Sequence, residues 1–349
     1  MTLDQLQDNI RHGIPIVDTD LRSLDLAGAD LSGALFERVN LAGARLAGAN
    51  LEDSRLMGCA LQKADLAHAG LQGVKFQRCD LAGARLAHAD AGGASFFESS
   101  LDEADLSDAV LDLCSFVRSR LNATRMRTQR FDRATFVESS LDGTDFSQAS
   151  LSFVTFHKLD MRSVLFAQAA GESCMFIECD LTAQRFAGLR LALCQFTDSR
   201  LDEADFSGAE LTQGSFKGAS LRAARFDGVR AANAMFPEAD LRGANCSGGH
   251  FEQSIWADAT LSGANFEKAH APLAVFHRAR CAGASFREAE LQDADFAYAD
   301  LSGADMRDAR FLRTRMHRAL QEGARFSTRG GILDNDPELH KAETWSGMP

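Results

Sequence analysis

Apolar residues return along this chain at a beat of five. In the stretch LAGARLAGANLEDSRL, leucine stands at positions 41, 46, 51 and 56. An amphipathic helix would repeat at about 3.6 residues and a half-buried strand at about 2, so neither regular element explains the pattern. From Leu21 to Met316 every fifth residue is Leu, Phe, Met, Trp, Cys, Ala or Gly, without a slip. The residue two places before it is nearly always small, as at Ala29, Ala34, Ala44, Ala49, Ser54, Cys59 and Ala64. The unit therefore reads small, polar, Leu or Phe, polar, polar.

Alternation in extended chain accounts for the first three places. Residues two apart face the same side, so the small residue and the Leu or Phe point inward and the polar residue between them points out. The last two places, often Ser-Gly, Ala-Gly or Asp-Gly, suit a turn. Repeating extension and turn coils the chain around an axis, with each quintet forming one side. Columns at a spacing of 20 give the number of sides. Phe36, Phe76, Phe96, Phe116, Phe136, Phe156, Phe176, Phe196, Phe216, Phe236, Phe276 and Phe296 share one column, with Leu56, Trp256 and Met316 in its gaps. Leu21, Leu41, Leu61, Leu81 and Leu101 open a second. Outward positions alternate in charge at the same spacing: Asp25, Arg45, Asp65, Arg85, Asp105, Arg125, Asp145. Such sorting requires four sides per turn, because three would repeat at 15.

The quintets ADLSG at 29–33 and 299–303, ANLED at 49–53 and ADLSD at 104–108 resemble the A(D/N)LXX consensus of the pentapeptide-repeat family. The resemblance implies an all-β solenoid, a right-handed quadrilateral parallel β-helix. About 15 turns at the interstrand spacing would make a rod on the order of 70 Å long. A solenoid is stabilised by nearest-neighbour stacking, so the repeat is expected to be one domain, residues 14–326. Residues 1–13 are expected to form a capping helix, with Thr2 as its start, Leu3, Leu6 and Ile10 on one face, and Gly13 as its stop. The tail, 327–349, carries a helix signature at Asp336-Pro337, with Leu339, Ala342 and Trp345 on one face. It either folds over the last turn or docks on a partner. Ala91, Gly171, Ala231 and Ala271 are undersized inward residues on one side, where a void or an inward draw is expected.

Composition narrows the function. The chain of 349 residues carries a net charge of −12, which disfavours non-specific nucleic-acid binding. No apolar run approaches the roughly 18 residues that span a bilayer, and MTLDQLQDNIR lacks a signal-peptide core. A cytoplasmic location without membrane insertion is expected; export that needs no N-terminal signal is compatible with it. All eight cysteines fall on inward positions, where thiols act as small hydrophobes. Cys59 and Cys79 are one turn apart, as are Cys174 and Cys194, which brings a disulfide within geometric reach. His68 and His88, and likewise His250 and His270, are stacked turn residues without an obvious third metal ligand. No phosphate-binding loop interrupts the repeat and no side loop builds a pocket. No enzyme activity, cofactor or metal site is therefore expected.

The surface holds the remaining signal. Beside the Phe column, the outward places read Phe97, Val117, Val137, His157, Ile177, and on the other flank Ser95, Ser115, Thr135, Thr155, Met175. The adjoining turn adds Leu113, Phe153 and Leu193. Contiguous exposed apolar surface marks partner sites, whereas isolated apolar residues on a sheet mark only β-propensity. The partner-binding candidates are Phe97, Leu113, Val117, Val137, Phe153, Met175, Ile177, Leu193 and Trp345. Arginines cluster at 118, 120, 125, 127, 130 and 133 and again near the C-terminal end at 307, 310, 313, 315 and 318; compensating acidic neighbours are expected around both groups.

Together these features point to a non-catalytic adaptor that binds protein partners as a monomer or an end-to-end homodimer. The resemblance also implies two narrower roles. One is accessory to a bacterial contractile secretion assembly. The other is DNA mimicry toward gyrase or topoisomerase IV, as in quinolone resistance. Mimicry fits poorly, because −12 spread over about 70 Å is sparse beside one charge per roughly 1.7 Å in B-DNA.

Overall fold

The computed structural model of the chain describes residues 1–22, 24–335, 341 and 345. It is a parallel β-solenoid of about 16 turns, against the expected 15, with a short helix at Leu3–Arg11. Two compact units divide it, Met1–Asp180 and Leu181–Pro349.

The helix α1, Leu3–Arg11, begins in a capping box: the Thr2 hydroxyl accepts from the Gln5 N–H, and the Gln5 side chain accepts from the Thr2 N–H. Leu6 is its buried residue. The first strand follows at Ile16–Val17, and within each unit the paired positions of the repeat are 20 apart. Ile16 lies against Phe36, Phe36 against Leu56 and Phe116 against Phe136. The four-sided reading of the sequence is thereby met.

The consensus can now be read physically. The Asp or Asn before the Leu caps the turn that follows it. Asp30 accepts from the Ser32 N–H at 3.2 Å, Asn50 from the Glu52 N–H at 3.0 Å and Asp80 from the Ala82 N–H at 3.0 Å. The next small residue closes the turn, as when the Ala44 N–H donates to the Leu41 carbonyl at 2.9 Å. The corner residue two places after the Leu takes a left-handed conformation, at Gly33 (φ 68) and equally at Asp53 (φ 57). Neighbouring turns are tied by backbone bonds such as Leu41 N–H to the Ala60 carbonyl, 2.7 Å.

The cores consist of stacked columns. In the first unit the rings from Phe76 through Phe176 stack at 4.7–5.1 Å, the spacing that the turns impose. From Phe146 a second Phe column meets the first edge-on, with Phe136 to Phe146 at 5.7 Å and 86°. In the second unit Phe196, Phe216 and Phe236 repeat the stack at 4.9 Å, crossed edge-on by Phe206 and Phe226. The undersized Ala91, Gly171, Ala231 and Ala271 are all buried; Phe166, Phe226 and Phe266 precede three of them, whereas Leu86 precedes Ala91 and Phe146, Phe186 and Phe206 precede full-sized leucines.

One corner departs from the repeat. Where a small inward residue is expected, position 129 is Gln, and its side chain is exposed. Thr128 is buried in its place, its hydroxyl donating to the Ala109 carbonyl, and the Ser150 N–H donates to the Thr128 carbonyl at 3.0 Å. The inward role slips by one residue there, although Gln184 is buried at the same place of a later quintet.

Truncating Phe116 to Ala would leave a ring-sized gap between two stacked partners. Urea unfolding should show a loss of roughly 3–5 kcal/mol; a loss below about 1 kcal/mol would mean that the column contributes little.

Candidate protein-binding face

The wall of the Phe column differs between the units, and a polar ladder runs beneath part of it in the first. In the second unit the turn after each Phe closes on itself, as in Ala219 N–H to Phe216 carbonyl, 3.1 Å. In the first unit three-residue strands stand there instead: Ser95–Phe97, Ser115–Val117, Thr135–Val137, Thr155–His157 and Met175–Ile177. Their corners take the bond from elsewhere. The Cys79 N–H donates to Ser99 Oγ at 3.1 Å, the Ser99 N–H to Ser119 Oγ at 3.1 Å and the Ser119 N–H to Ser139 Oγ at 3.0 Å. Each hydroxyl in turn donates to main-chain carbonyls; Ser119 has Phe96 at 3.0 Å and Val117 at 3.2 Å within reach. In this column the first unit reads Val39, Cys59, Cys79, Ser99, Ser119, Ser139, Leu159 and Cys179, and the second reads Ser199 and then Ala from position 219 to 319.

The flat wall of the first unit presents the expected strip. Phe97, Val117, Val137, His157 and Ile177 are successive register partners, and Ser95, Ser115, Thr135, Thr155 and Met175 run parallel to them. Because each lies against its neighbours, Phe97, Val117, Val137, Met175 and Ile177 are only half-buried rather than fully displayed. The corner residues are the exposed ones: Leu113 at 60% and Phe153 at 49%. Both are held in the left-handed region, φ 61 and 53. Leu193 and Trp345 belong to the second unit; Leu193 is exposed and left-handed (φ 61), and the Trp345 indole is exposed. The remainder of the tail's expected helical face falls outside the described residues. Sequence reasoning passed over Leu35 and Met57, which carry the same wall into a shallow depression of about 480 Å³ with Pro15, Arg55 and Lys75.

Charge zippers border the strip. Arg78 and Arg118 both contact Glu98 at 2.9 Å. Hydrogen bonding from Arg78, aided by the charge of Arg118, holds the Glu98 carboxyl below its ordinary range. Arg118 also lies over the Phe97 ring at 4.7 Å, and Arg133 over Phe153 at 5.6 Å. Both arginine clusters have carboxylate neighbours, as expected: Arg120 with Asp102 at 3.0 Å, Arg130 with Asp112 at 2.8 Å, Arg310 with Glu290 at 2.8 Å and Arg313 with Asp293 at 2.6 Å.

Other clusters are less promising. His68 and His88 stack at 4.9 Å. His270 is clasped between Glu252 at 3.1 Å and Glu290 at 2.6 Å in an open depression of about 690 Å³. Among the described residues no group of three or more His, Cys, Asp or Glu has the geometry to hold a metal ion. No described helix is long and apolar enough to cross a membrane.

A four-sided parallel coil with capped five-residue sides defines the class, a β-solenoid built from quintets. The pentapeptide repeat region profile matches residues 29–106 and 169–246, and the pentapeptide repeats (8 copies) profile matches 130–167, 239–272 and 274–311. The chain belongs to the pentapeptide-repeat family. Solved structures similar to it include full-length QnrB1, a plasmid-mediated fluoroquinolone resistance protein, at 15% identity over 67% of this chain and 100% of that one, TM-score 0.24. HetL, a pentapeptide repeat protein involved in heterocyst differentiation regulation from the cyanobacterium Nostoc, is 21% identical over 90% and 96%, TM-score 0.17. A pentapeptide repeat protein of the Arabidopsis thaliana thylakoid lumen is 31% identical over 31% and 64%, TM-score 0.16. No curated protein matches the chain in sequence.

Two outcomes follow from this chemistry. Ser119→Ala would strand the buried Ser99 N–H and should cost about 1–3 kcal/mol, with faster amide exchange at Ser99; unchanged exchange would refute the ladder's role. Acid should also weaken the second unit. Guanidinium hydrogen bonds from Arg307 hold Asp305 at about 2, and those from Arg242 and Arg222 outweigh burial to hold Asp240 at about 2. A depressed folded value stabilises above the ordinary carboxylate range and is lost as pH falls through it. The melting temperature should therefore fall between about pH 4 and 2, and a flat profile there would contradict these pairs.

Proposed function

We propose that the chain is a non-catalytic protein-binding module whose docking face is the strand wall of the first unit. Leu113 and Phe153 carry the proposal. Large apolar side chains in the left-handed region cost about 1–2 kcal/mol each against glycine, and these two are also exposed. Earlier turns place Gly33, Gly73 and Gly93 at the equivalent corner. Retaining Leu and Phe there forgoes stability for surface, which is the pattern of a contact site. Backbone groups of the wall are engaged in the ladder, so a partner would be bound through side chains rather than by strand addition. The alternating Arg and Glu border would set the register of a partner bearing an apolar patch with charges of both signs.

Within this reading, an accessory place in a contractile secretion assembly rests on the short N-terminal helix and the acidic, Trp-bearing tail. A cytoplasmic location is part of the same proposal. DNA mimicry is the weaker reading, because Asp25, Asp65 and Asp105 each have an arginine of the next turn within 3.2–3.7 Å, which cancels the field locally.

Val137→Glu and Phe153→Glu place a charge on the face without touching the core. Affinity purification with mass spectrometry from the native host should show partner recovery reduced at least about tenfold, with unchanged circular dichroism. Undiminished recovery by both variants would remove this face. Spike or sheath proteins among the partners would support the secretion role; gyrase subunits, with inhibition of supercoiling, would support mimicry instead.

A further inference from the structure

We propose that Cys59 and Cys79 form a peroxide-responsive disulfide joining two successive turns beneath the strand wall. Leu56 and Met57 are the register partners of Phe76 and Gln77, and Ala60 bridges Asp80. Cys59 and Cys79 lie between these pairs and are therefore stacked one turn apart. The turn spacing of about 4.8 Å falls inside the Cα separation that disulfides tolerate, roughly 4.4–6.8 Å. The Cys79 thiol has the Leu56 carbonyl at 3.3 Å and the Gln77 carbonyl at 3.5 Å, and the Cys59 thiol lies 3.6 Å from the Met57 carbonyl, so both sulfurs occupy the same corner.

Two further observations separate this pair from the other thiols. Cys59 and Cys79 are the least buried of the eight cysteines, at 2% exposure each, and Met57 and Gly58, which precede Cys59, are both exposed. A hydrogen bond from the Cys79 thiol, with further ones from main-chain amides, lowers the Cys59 pKa, whereas burial raises Cys114 to about 12 and Cys179 to about 11. Cys59 is thus the attacking thiol and Cys79 the resolving one. A hydroperoxide is the oxidant, because so little exposure admits only a small molecule. Cys59 attacks a peroxide oxygen; an S–O bond forms, the O–O bond breaks and the first water or alcohol leaves with the thiol proton. Cys79 then attacks the sulfenic sulfur, the S–S bond forms, and the hydroxyl leaves as water with the second thiol proton. Two thiols lose two electrons and one peroxide gains them.

The test treats the full chain with hydrogen peroxide, alkylates it under denaturing, non-reducing conditions and maps the peptides. A peptide pair joined through Cys59 and Cys79, lighter by about 2 Da and released by reductant, is expected. Cys79→Ser should leave Cys59 as a sulfenic acid trapped by dimedone, and Cys59→Ser should abolish both products. Serine already occupies this column at Ser99, Ser119 and Ser139, so both variants keep the ladder. Full alkylation of Cys59 and Cys79 after peroxide treatment, or linkage of other cysteines in preference to them, would overturn the assignment.

Discussion

Everything in this protein depends on the backbone bonds that tie each residue to the one a full turn away. They fix the turn spacing near 4.8 Å and make every side chain the neighbour of its counterpart at a distance of 20 in sequence. Like then stacks on like. Phenylalanines form ring columns, as between Phe116 and Phe136, and in one outward column aspartates alternate with arginines from Asp25 to Asp145. Stability is therefore local, spread over many equivalent contacts between adjacent turns.

Two ways of closing a corner give the walls different characters. When the small residue is alanine, its own N–H closes a tight turn and the wall is a row of bridges. At Cys79, Ser99 and Ser119 the serine hydroxyl of the next turn accepts the N–H instead, and the wall there extends into three-residue strands. This second solution builds the flat face that carries Phe97, Val117 and Val137. It also places Cys59 and Cys79 in the same ladder as Ser99, so one column serves both as a structural strap and as a seat for thiol chemistry.

Family membership by itself says little about the role of the chain, since function resides in sites placed on a fold. The quintet leaves only the outward places free to vary, and most of these are charged and paired. Leu113 and Phe153, like Leu193 and Leu273, combine conformational cost with exposure, and these two border the strand wall of the first unit. The border of opposed charges around them offers orientation more than affinity, as exposed pairs contribute at most about 1 kcal/mol each.

The sequence by itself determined the period, the four sides and the membership of every column, because the repeat dictates which way each side chain points. It also located the stacked phenylalanines, the alternating charges and the start of α1 at Thr2. The tertiary structure decided which walls become strands, since corners carrying the same residue type behave differently: Ser99 and Ser139 follow strands, whereas Ser199 closes a tight turn. It decided that Thr128 replaces Gln129 inside a corner, where packing overrode the beat. It also decided that Val117 and Val137 are half-covered while Leu113 and Phe153 are displayed. Pattern sets direction, but accessibility is set by neighbours that the chain reaches only after a complete turn.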